Sequence, residues 1–407
     1  MAQIPGWSNL PKNAALAIDF VIVGGGVAGF ACAIALRRVG HHVLVLEKDA
    51  TFPSISSPCP MPPNLSKILF HWGLKDELRK ISVEIANNIR LRSTEEQLGM
   101  QIWDKEVLRE TGGEFIFAHT GDLRRLLYDV AVAVKANVRL GARVETVNTD
   151  AQTVTLSTGE VLKADVIVGC DGPSGITRQV LSTTQEECDD DLSINMNMCC
   201  TTILKTLIMK DPQLRELYDH DIVRTIVSRG LHAHIDGQAP LKYWVNRFMV
   251  VMGAAVHPMP PGSVQQCALT MEDGAVLAKL FSHLHCKDQI KSFLSAFQDL
   301  RQLRCAAVLC KEARIFHYMK AEPGELQQSS DDMTWAKEQA HAIGILDAMG
   351  DLEENDIHKQ IETVFGYNAE DDADNWWVTW GLLRERARSD SSESHMGEVA
   401  GTKNLRD

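Results

Sequence analysis

Short apolar runs, each followed by a turn and a helical pattern, recur along the first half of the chain. The strongest is residues 20–23, which lead into the glycine-rich residues 24–29 and then into a helix with residues 33–36 on its inner side. A second apolar run, residues 43–46, ends on Glu47. Continuous apolar runs that alternate with helical patterns are typical of a parallel sheet with both faces covered. The pattern therefore predicts an α/β fold that begins with a βαβ unit.

The rest of the pattern predicts further strands and helices separated by loops. Residues 51–63 are rich in serine and proline and are expected to form a loop, after which Asn64 is expected to cap a helix that Gly73 ends. Strands are predicted within 86–118 and at 138–140, 144–147, 154–156, 161, 166–168 and from 248, and helices from about 122, from 273 to about 318 and near 335–349. Residues 195–236 mix both patterns, and the tail 389–407 is expected to be disordered.

The glycine-rich turn after the first strand has the spacing of a dinucleotide-binding turn. Gly24 makes the tight turn, Gly26 lets the backbone approach a pyrophosphate, and Gly29 lets helix and strand pack closely. The helix N-terminus offers free N–H groups to the phosphates. Glu47, 23 residues after Gly24, ends the second strand, where a carboxylate accepts hydrogen bonds from ribose hydroxyls. The carboxylate would repel a 2′-phosphate, so NAD or FAD is favoured over NADP. The alternative to a dinucleotide-binding site is a glycine-rich βα turn of another α/β protein.

Composition narrows the class of protein. The chain has 407 residues, of which 45% are hydrophobic, enough for two lobes or for one large domain with an inserted sheet. Its net charge of −13, without a basic cluster, argues against nucleic acid and anionic membranes as partners. Ten cysteines without a CxxC motif indicate reduced thiols. No secretory signal and no apolar run of about 20 residues is seen, so we expect a cytoplasmic protein without an integral membrane segment.

Two later blocks repeat the order of buried strand, glycine turn and loop. The first is ADVIVGCDGPSGITR (164–178), and the second is FMVVMGAAVHPMPPG (248–262), which continues into a helix. Together with GGGVAG and Glu47, these blocks resemble, in this order, the single-component FAD-dependent aromatic hydroxylases, the group of salicylate and p-hydroxybenzoate hydroxylases. The likeness is strongest to the fungal secondary-metabolite monooxygenases of that group. It extends to residues 62–74 and spans most of 18–178 and 247–275.

The resemblance implies a Rossmann-like FAD-binding domain of the glutathione-reductase type, as in p-hydroxybenzoate hydroxylase. Residues 1–178 and 247–388 would form this domain together with C-terminal helices, and 179–246 would be an inserted, shortened substrate β-sheet. By the same resemblance the block at 164–178, called the "DG" block after Asp171 and Gly172, lies by the FAD pyrophosphate. The backbone near Gly262 faces the electron-rich edge of the reduced flavin. The expected cofactor-binding residues are Gly24, Gly26, Gly29, Glu47, Lys48, Arg124, Asp171, Gly172, Gly253, Ala254, Pro258 and Gly262, and no metal is expected.

The implied activity is monooxygenation. NADH or NADPH would reduce the flavin, O₂ would add at its C4a carbon, and the distal oxygen of this hydroperoxide would pass to a small aromatic or polyketide- or terpenoid-type substrate. The catalytic base is not identified from the sequence. Oxidative rearrangement, epoxidation and decarboxylative hydroxylation stay open, as does a flavin-fold binding protein without turnover. The two later blocks argue against a plain NAD-dependent dehydrogenase.

The chain departs from the family pattern in four places. Ala254 stands where the family has an aspartate that binds the ribityl chain, and Thr120 stands where many members have an FAD-contacting arginine, for which Arg124 or Arg125 is a substitute. Gln266 replaces a glycine, and only 81 positions separate Gly172 from Gly253. These departures favour the alternative of a binding protein without turnover.

Overall fold

The computed structural model of the chain describes residues 14–52, 58–84, 87–91, 97–102, 108, 110–183, 241–259, 263–320 and 363–383. The predictions for 195–236, 335–349 and 389–407, and the predicted site residue Gly262, lie outside these ranges.

The strands described are β1 (Asp19–Val23), β2 (His42–Glu47), β3 (Pro58–Met61), β4 (Ser82–Glu84), β5 (Asn87–Leu91), β6 (Gln97–Ile102), β7 (Ile116–His119), β8 (Asn137–Leu140), β9 (Val144–Asn148), β10 (Thr153–Leu156), β11 (Val161–Lys163), β12 (Val166–Gly169), β13 (Val245–Asn246) and β14 (Met249–Val251). The helices described are α1 (Val27–Arg38), α2 (Pro63–His71), α3 (Lys75–Ile81), α4 (Thr120–Ala133), α5 (Ile176–Ser182), α6 (Gln266–Ser282), α7 (Ile290–Lys320) and α8 (Ala369–Trp376).

A six-stranded sheet organises the molecule, with strand order β13-β14-β12-β1-β2-β8. The pairs from β14 to β8 are all parallel, and β13 adds an antiparallel edge. Three smaller sheets have the orders β3-β7-β4, β5-β6 and β11-β10-β9. The predicted α/β class is confirmed.

The core lies between this sheet and the helices that cover it. α1 is buried along most of its length, and α6 packs against it so closely that a Cβ on Gly274 would lie 3.0 Å from the Cys32 nitrogen. Phe20 on β1 stacks edge-on against Phe281 near the end of α6, with ring centroids 5.2 Å apart. Among the described residues, no helix is both long and apolar enough to cross a membrane.

Two local predictions were wrong, each because of tertiary contacts. β3 lies within the segment that was predicted to be a serine- and proline-rich loop. Its strand conformation comes from pairing with β7, which its prolines give no reason to expect. α2 begins at Pro63 after Pro62 rather than after Asn64, whose side chain is used for buried hydrogen bonds to Gln265 and Glu272. α4 begins at Thr120, close to the expected start.

The long helical pattern from residue 273 is also divided. α6 ends at Ser282 and α7 begins at Ile290, with a 3₁₀ turn at Lys287–Gln289 between them. The side chains of Cys286 and Gln289 form a reciprocal capping arrangement that closes this turn. The 3.6-residue period continues across the break, which is why the pattern alone predicts one helix.

Candidate dinucleotide-binding site

Three sequence blocks meet at one edge of the main sheet. β1, β12 and β14 are adjacent and parallel, so the turns that follow them lie side by side at the carboxyl ends of the strands. A Cβ built on Gly24 would collide with the carbonyl of Cys170, and one on Gly253 would lie 3.1 Å from the Cβ of Ala28. The backbone of the first turn therefore touches both of the other blocks.

The three glycines of the first turn face different surroundings. Gly24 has φ +105°, a conformation that side chains disfavour, and Gly29 is pressed against the carbonyl oxygen of Gly24. A Cβ on Gly26 would meet no atom of the described residues within 4 Å. Gly24 and Gly29 are thus required by the fold itself, whereas Gly26 borders a space that no described residue fills.

The N-terminus of α1 offers an anion site beside that space. Among the described residues, no side chain caps this helix end, and its first turn carries no acid. Uncapped N–H groups and the positive end of the helix dipole attract phosphate. The donor groups present therefore fit a pyrophosphate, as the glycine spacing predicts.

Glu47 ends β2 next to this turn and is 5% exposed. Its Oε2 accepts the N–H of Gly25 at 2.8 Å, and its Oε1 accepts the N–H of Asp49 at 2.9 Å. A carboxylate has about four lone-pair sites, so acceptor capacity remains for ribose hydroxyls. Lys48, the next residue, is exposed. The ribose-binding role of Glu47 stays a prediction.

Arg124 on α4 is fixed to the same turn. Its Nη2 lies 3.0 Å from Oε2 of Glu47, and its Nε donates to the carbonyl of Gly25 at 2.7 Å. Its guanidinium also lies over the Phe52 ring, 4.7 Å from the centroid. Arg125 is exposed and shares only the Phe52 contact, at 4.5 Å. Of the two arginines proposed to replace the one missing at Thr120, Arg124 reaches the turn.

We expect Arg124→Ala to raise the dissociation constant for FAD by roughly tenfold, the effect of losing about 1.4 kcal/mol, because Glu47 and Gly25 lose a shared charged partner. Arg125→Ala is the matched control and should change it less than about twofold, since exposed charges contribute little. Fluorescence titration of the apoprotein with FAD measures both. Equal effects of the two substitutions would contradict the assignment.

The "DG" block uses its acid to shape the loop. Asp171 accepts hydrogen bonds from both the hydroxyl and the N–H of Thr177, in the first turn of α5. Burial raises the pKa of Asp171, against these hydrogen bonds, which lower it. Gly172 has φ +83°, and a Cβ there would meet no described atom within 4 Å. Gly172 thus opens toward free space, while the carboxylate of Asp171 is engaged within the protein.

A single buried carboxylate ties down the third block. Asp273 on α6 accepts the N–H of Gly253 at 2.9 Å and binds Nε2 of His257 at 2.7 Å through Oδ2. Its Oδ1 accepts from Nε of Arg301 at 2.8 Å. Both ends of the Gly253–His257 segment are therefore anchored to one group. Asp273 was not among the residues predicted from the sequence.

The charges in this cluster support one another. Burial would raise the pKa of Asp273, but His257 and Arg301 hold it below its ordinary value. Burial would lower the pKa of His257, but Cys305 and Asp273 raise it to about 10. Asp273 is therefore ionised and His257 protonated near neutral pH. His257 acts as an anchor of the loop through its ion pair with Asp273.

A second layer of buried charge surrounds this anchor. Glu272 lies 3.0 Å from Nη1 of Arg301 and 3.1 Å from Nη2 of Arg304, and it also accepts from Asn64 at 2.7 Å. Arg304 in turn donates to backbone carbonyls at 363 and 364. The signal in the sequence is the adjacent pair of acids on α6, with two arginines three positions apart on one face of α7.

The remaining predicted residues lie on this segment. Ala254 and Pro258 are partly exposed, between and beside the anchored positions Gly253 and His257. Two further buried side chains keep polar atoms without a partner in the described part of the chain: both ring nitrogens of His119, at the start of α4, and Oγ of Ser263. Neither was predicted. Unsatisfied buried polar atoms are costly, so they are candidates for binding a ligand.

We expect Ala254→Asp to tighten FAD binding by roughly tenfold, since a charge-assisted hydrogen bond contributes about 1.5–3 kcal/mol and part of this is offset by desolvation. Ala254→Asn, of similar size but without charge, is the control and should gain less. The same FAD titration measures both. An unchanged constant in both variants would mean that another group already fills this role.

Comparison with known proteins supports a flavin as the dinucleotide. Residues 17–213 match the family described as FAD binding domain. The chain is 24% identical to the FAD-dependent monooxygenase OpS4 of Beauveria bassiana (strain ARSEF 2860) over 382 residues, covering 77% of this chain and 88% of that protein. It is 22% identical to the 3-hydroxybenzoate 6-hydroxylase of Klebsiella oxytoca over 354 residues, covering 73% and 88%.

Solved structures share the fold. The crystal structure of FqzB superposes with a TM-score of 0.63 at 17% identity, covering 91% of this chain and 95% of that one. The likeness inferred from the three blocks is confirmed, and so is FAD as the cofactor.

Proposed function

We propose that this chain is an FAD-dependent monooxygenase of the aromatic hydroxylase type that takes electrons from NADH or NADPH and hydroxylates a small aromatic or related natural-product substrate with O₂. The observation that supports this most is the convergence of the turns after β1, β12 and β14 at one edge of the sheet. Two of these turns come from stretches about 80 residues apart, so their meeting is a property of the fold rather than of one motif.

FAD bound here would supply the activation of O₂, which amino-acid side chains do not provide. The residues of the chain would bind and orient it. The uncapped N-terminus of α1 would hold the pyrophosphate and Glu47 the ribose, and Arg124 keeps Glu47 in place. The segment from Gly253 to Pro258, anchored by Asp273, would border the other part of the cofactor.

Ala254 favours one second candidate, a flavin-binding protein without turnover. Without a carboxylate at this position, one charged contact to the ribityl chain expected from the family is lost, at a cost of about 1.5–3 kcal/mol in cofactor affinity. The pyrophosphate and ribose contacts are independent of it, so binding survives. The two candidates differ in whether the protein oxidises a nicotinamide cofactor at all: the monooxygenase consumes NADH or NADPH, and the binding protein consumes neither.

The test begins with the visible spectrum of the purified full-length protein, with FAD added where needed. The proposal expects bands of oxidised flavin and a flavin content that falls severalfold in Glu47→Ala, because its ribose contacts are lost. Oxidation of NADH and NADPH is then followed with a panel of phenols, including 3-hydroxybenzoate. Isotopically labelled O₂ shows whether one oxygen atom enters the product.

The outcomes separate the candidates. Substrate-stimulated oxidation of NADH or NADPH with label in the product supports the monooxygenase. Tight FAD binding without such oxidation for any substrate supports the binding protein. A colourless protein that refuses FAD at saturating concentration would exclude both.

A further inference from the structure

Two cysteines from distant parts of the chain face each other across β3 and α6. Cys59 on β3 is fully buried, and Cys267, in the first turn of α6, is partly exposed. Their sulfur atoms lie 3.1 Å apart, although 208 positions separate the residues in sequence. Among the six cysteines whose side chains the structure describes, no other two sulfurs are in hydrogen-bond contact.

The surrounding contacts keep this pair together. Asn64, which follows β3 at the start of α2, donates to Gln265 at 2.8 Å and to Glu272 at 2.7 Å, just before and within α6. Both hydrogen bonds are buried. They fasten the start of α2, which directly follows the strand that carries Cys59, to the helix that carries Cys267. A covalent S–S bond is about 2.05 Å long, so closing it requires a movement of only about 1 Å.

The two thiols differ in reactivity. The Cys59 thiol donates its hydrogen bond to the sulfur of Cys267. This hydrogen bond lowers the pKa of Cys267, and it raises the pKa of Cys59 well above its ordinary value. The N-terminus of α6 favours the same thiolate. Cys267 is therefore the better nucleophile and the less buried of the two residues, and Cys59 is its buried partner.

We propose that Cys59 and Cys267 form a redox-active dithiol that hydroperoxides oxidise to a disulfide. The Cys267 thiolate attacks the O–O bond of hydrogen peroxide, giving a sulfenic acid and hydroxide, which takes a proton to become water. The sulfur of Cys59 then attacks the sulfenic sulfur, and the S–O bond breaks with loss of a second water. Two thiols and one peroxide thus give one disulfide and two waters.

The position of the pair gives the disulfide a structural consequence. It would join β3 to the first turn of α6, just after the proline-rich loop that the third block contributes to the site. A cross-link that closes a loop of this length constrains the unfolded chain strongly. Oxidation would therefore stabilise the fold and fix the start of α6.

The experiment treats the full-length, FAD-supplemented protein with hydrogen peroxide, blocks free thiols in denaturant and maps the peptides by mass spectrometry without reduction. We expect a peptide pair joined through Cys59 and Cys267, lighter by two hydrogens than the two thiols, and a melting temperature several degrees higher. Dithiothreitol should reverse both changes. Added peroxide makes the test independent of whether the protein catalyses oxygenation.

Three variants separate the roles. Cys59→Ser should lose the cross-link and leave Cys267 as a sulfenic acid that dimedone traps, and Cys267→Ser should lose both. Cys286→Ser, at an exposed cysteine outside the pair, is the control and should behave as the parent protein. Alkylation of both cysteines in the peroxide-treated parent would overturn the proposal, as would a cross-link to other cysteines. The peptide map of the parent protein tests the proposal even if one of the variants does not fold.

Discussion

Gly26→Ala is expected to abolish most FAD binding while leaving the protein folded. The new Cβ meets no described atom of the chain, and Gly26 has φ −82° and ψ −167°, which any residue adopts. The Cβ instead enters the space where a pyrophosphate approaches the backbone. We expect the dissociation constant for FAD to rise about a hundredfold, which corresponds to about 2.8 kcal/mol. The free energy of unfolding of the apoprotein should stay equal or rise by about 0.5 kcal/mol.

Gly29→Ala is the matched control three positions along. Its Cβ would overlap the carbonyl oxygen of Gly24, so the apoprotein itself should lose about 3 kcal/mol of stability. Urea unfolding of both apoproteins, with FAD titration of each, measures the contrast. If Gly26→Ala destabilised the apoprotein as much as Gly29→Ala does, the open space beside Gly26 would not be a ligand site.

Asp273→Ala is expected to produce the largest loss of stability, about 3–5 kcal/mol. It removes the acceptor shared by Gly253, His257 and Arg301, and it leaves two buried cations with one partner fewer. Release of Gly253 should also weaken FAD binding in whatever fraction still folds. Urea unfolding monitored by circular dichroism gives the stability.

Asp374→Ala serves as the control for Asp273→Ala. Asp374 also contacts a lysine and a histidine, Lys279 and His283, but its side chain is 40% exposed. Solvent screening limits the expected loss to about 0.5 kcal/mol. Similar losses in the two variants would show that Asp273 does not act as the anchor described.

The same cluster predicts a pH dependence of stability. The pKa of His257 is raised to about 10, so its contribution is complete below about 6.5, its unfolded value, and is lost as the pH rises toward 10. The pKa of Asp273 is lowered, so its contribution is present above about 3.9 and is lost as the pH falls through its folded value. Unfolding free energies of the parent should therefore fall from pH 6.5 to 10 more steeply than those of His257→Gln.

The sequence predicts the parts of the fold that local patterns specify. The first βαβ unit, β12 and β14 follow from continuous apolar runs that end on glycine turns, and all are confirmed. The order of three blocks along the chain then indicates a common site. The glycines are informative because the conformation of Gly24 and the close packing of Gly29 each exclude a side chain for reasons that lie within the motif itself.

The parts that the sequence did not predict depend on contacts between distant residues. Asp273 has no local signal that distinguishes it from a surface acid on a helix, and it becomes an anchor only when α7 brings Arg301 beside it. β3 contains two prolines and owes its strand conformation to β7. Nothing in the spacing of the cysteines along the sequence predicts that the sulfurs of Cys59 and Cys267 face each other.

The insertion of β14 beside β12 has a consequence for how the protein is made. A nascent polypeptide that has emerged from the ribosome only as far as residue 240 carries the complete first βαβ unit but exposes β12 as an open sheet edge. The anchor at position 273 is synthesised later still. The edge of the sheet on which the three turns meet is therefore complete only after the second half of the chain has been synthesised, and until then β12 lacks its partner strand.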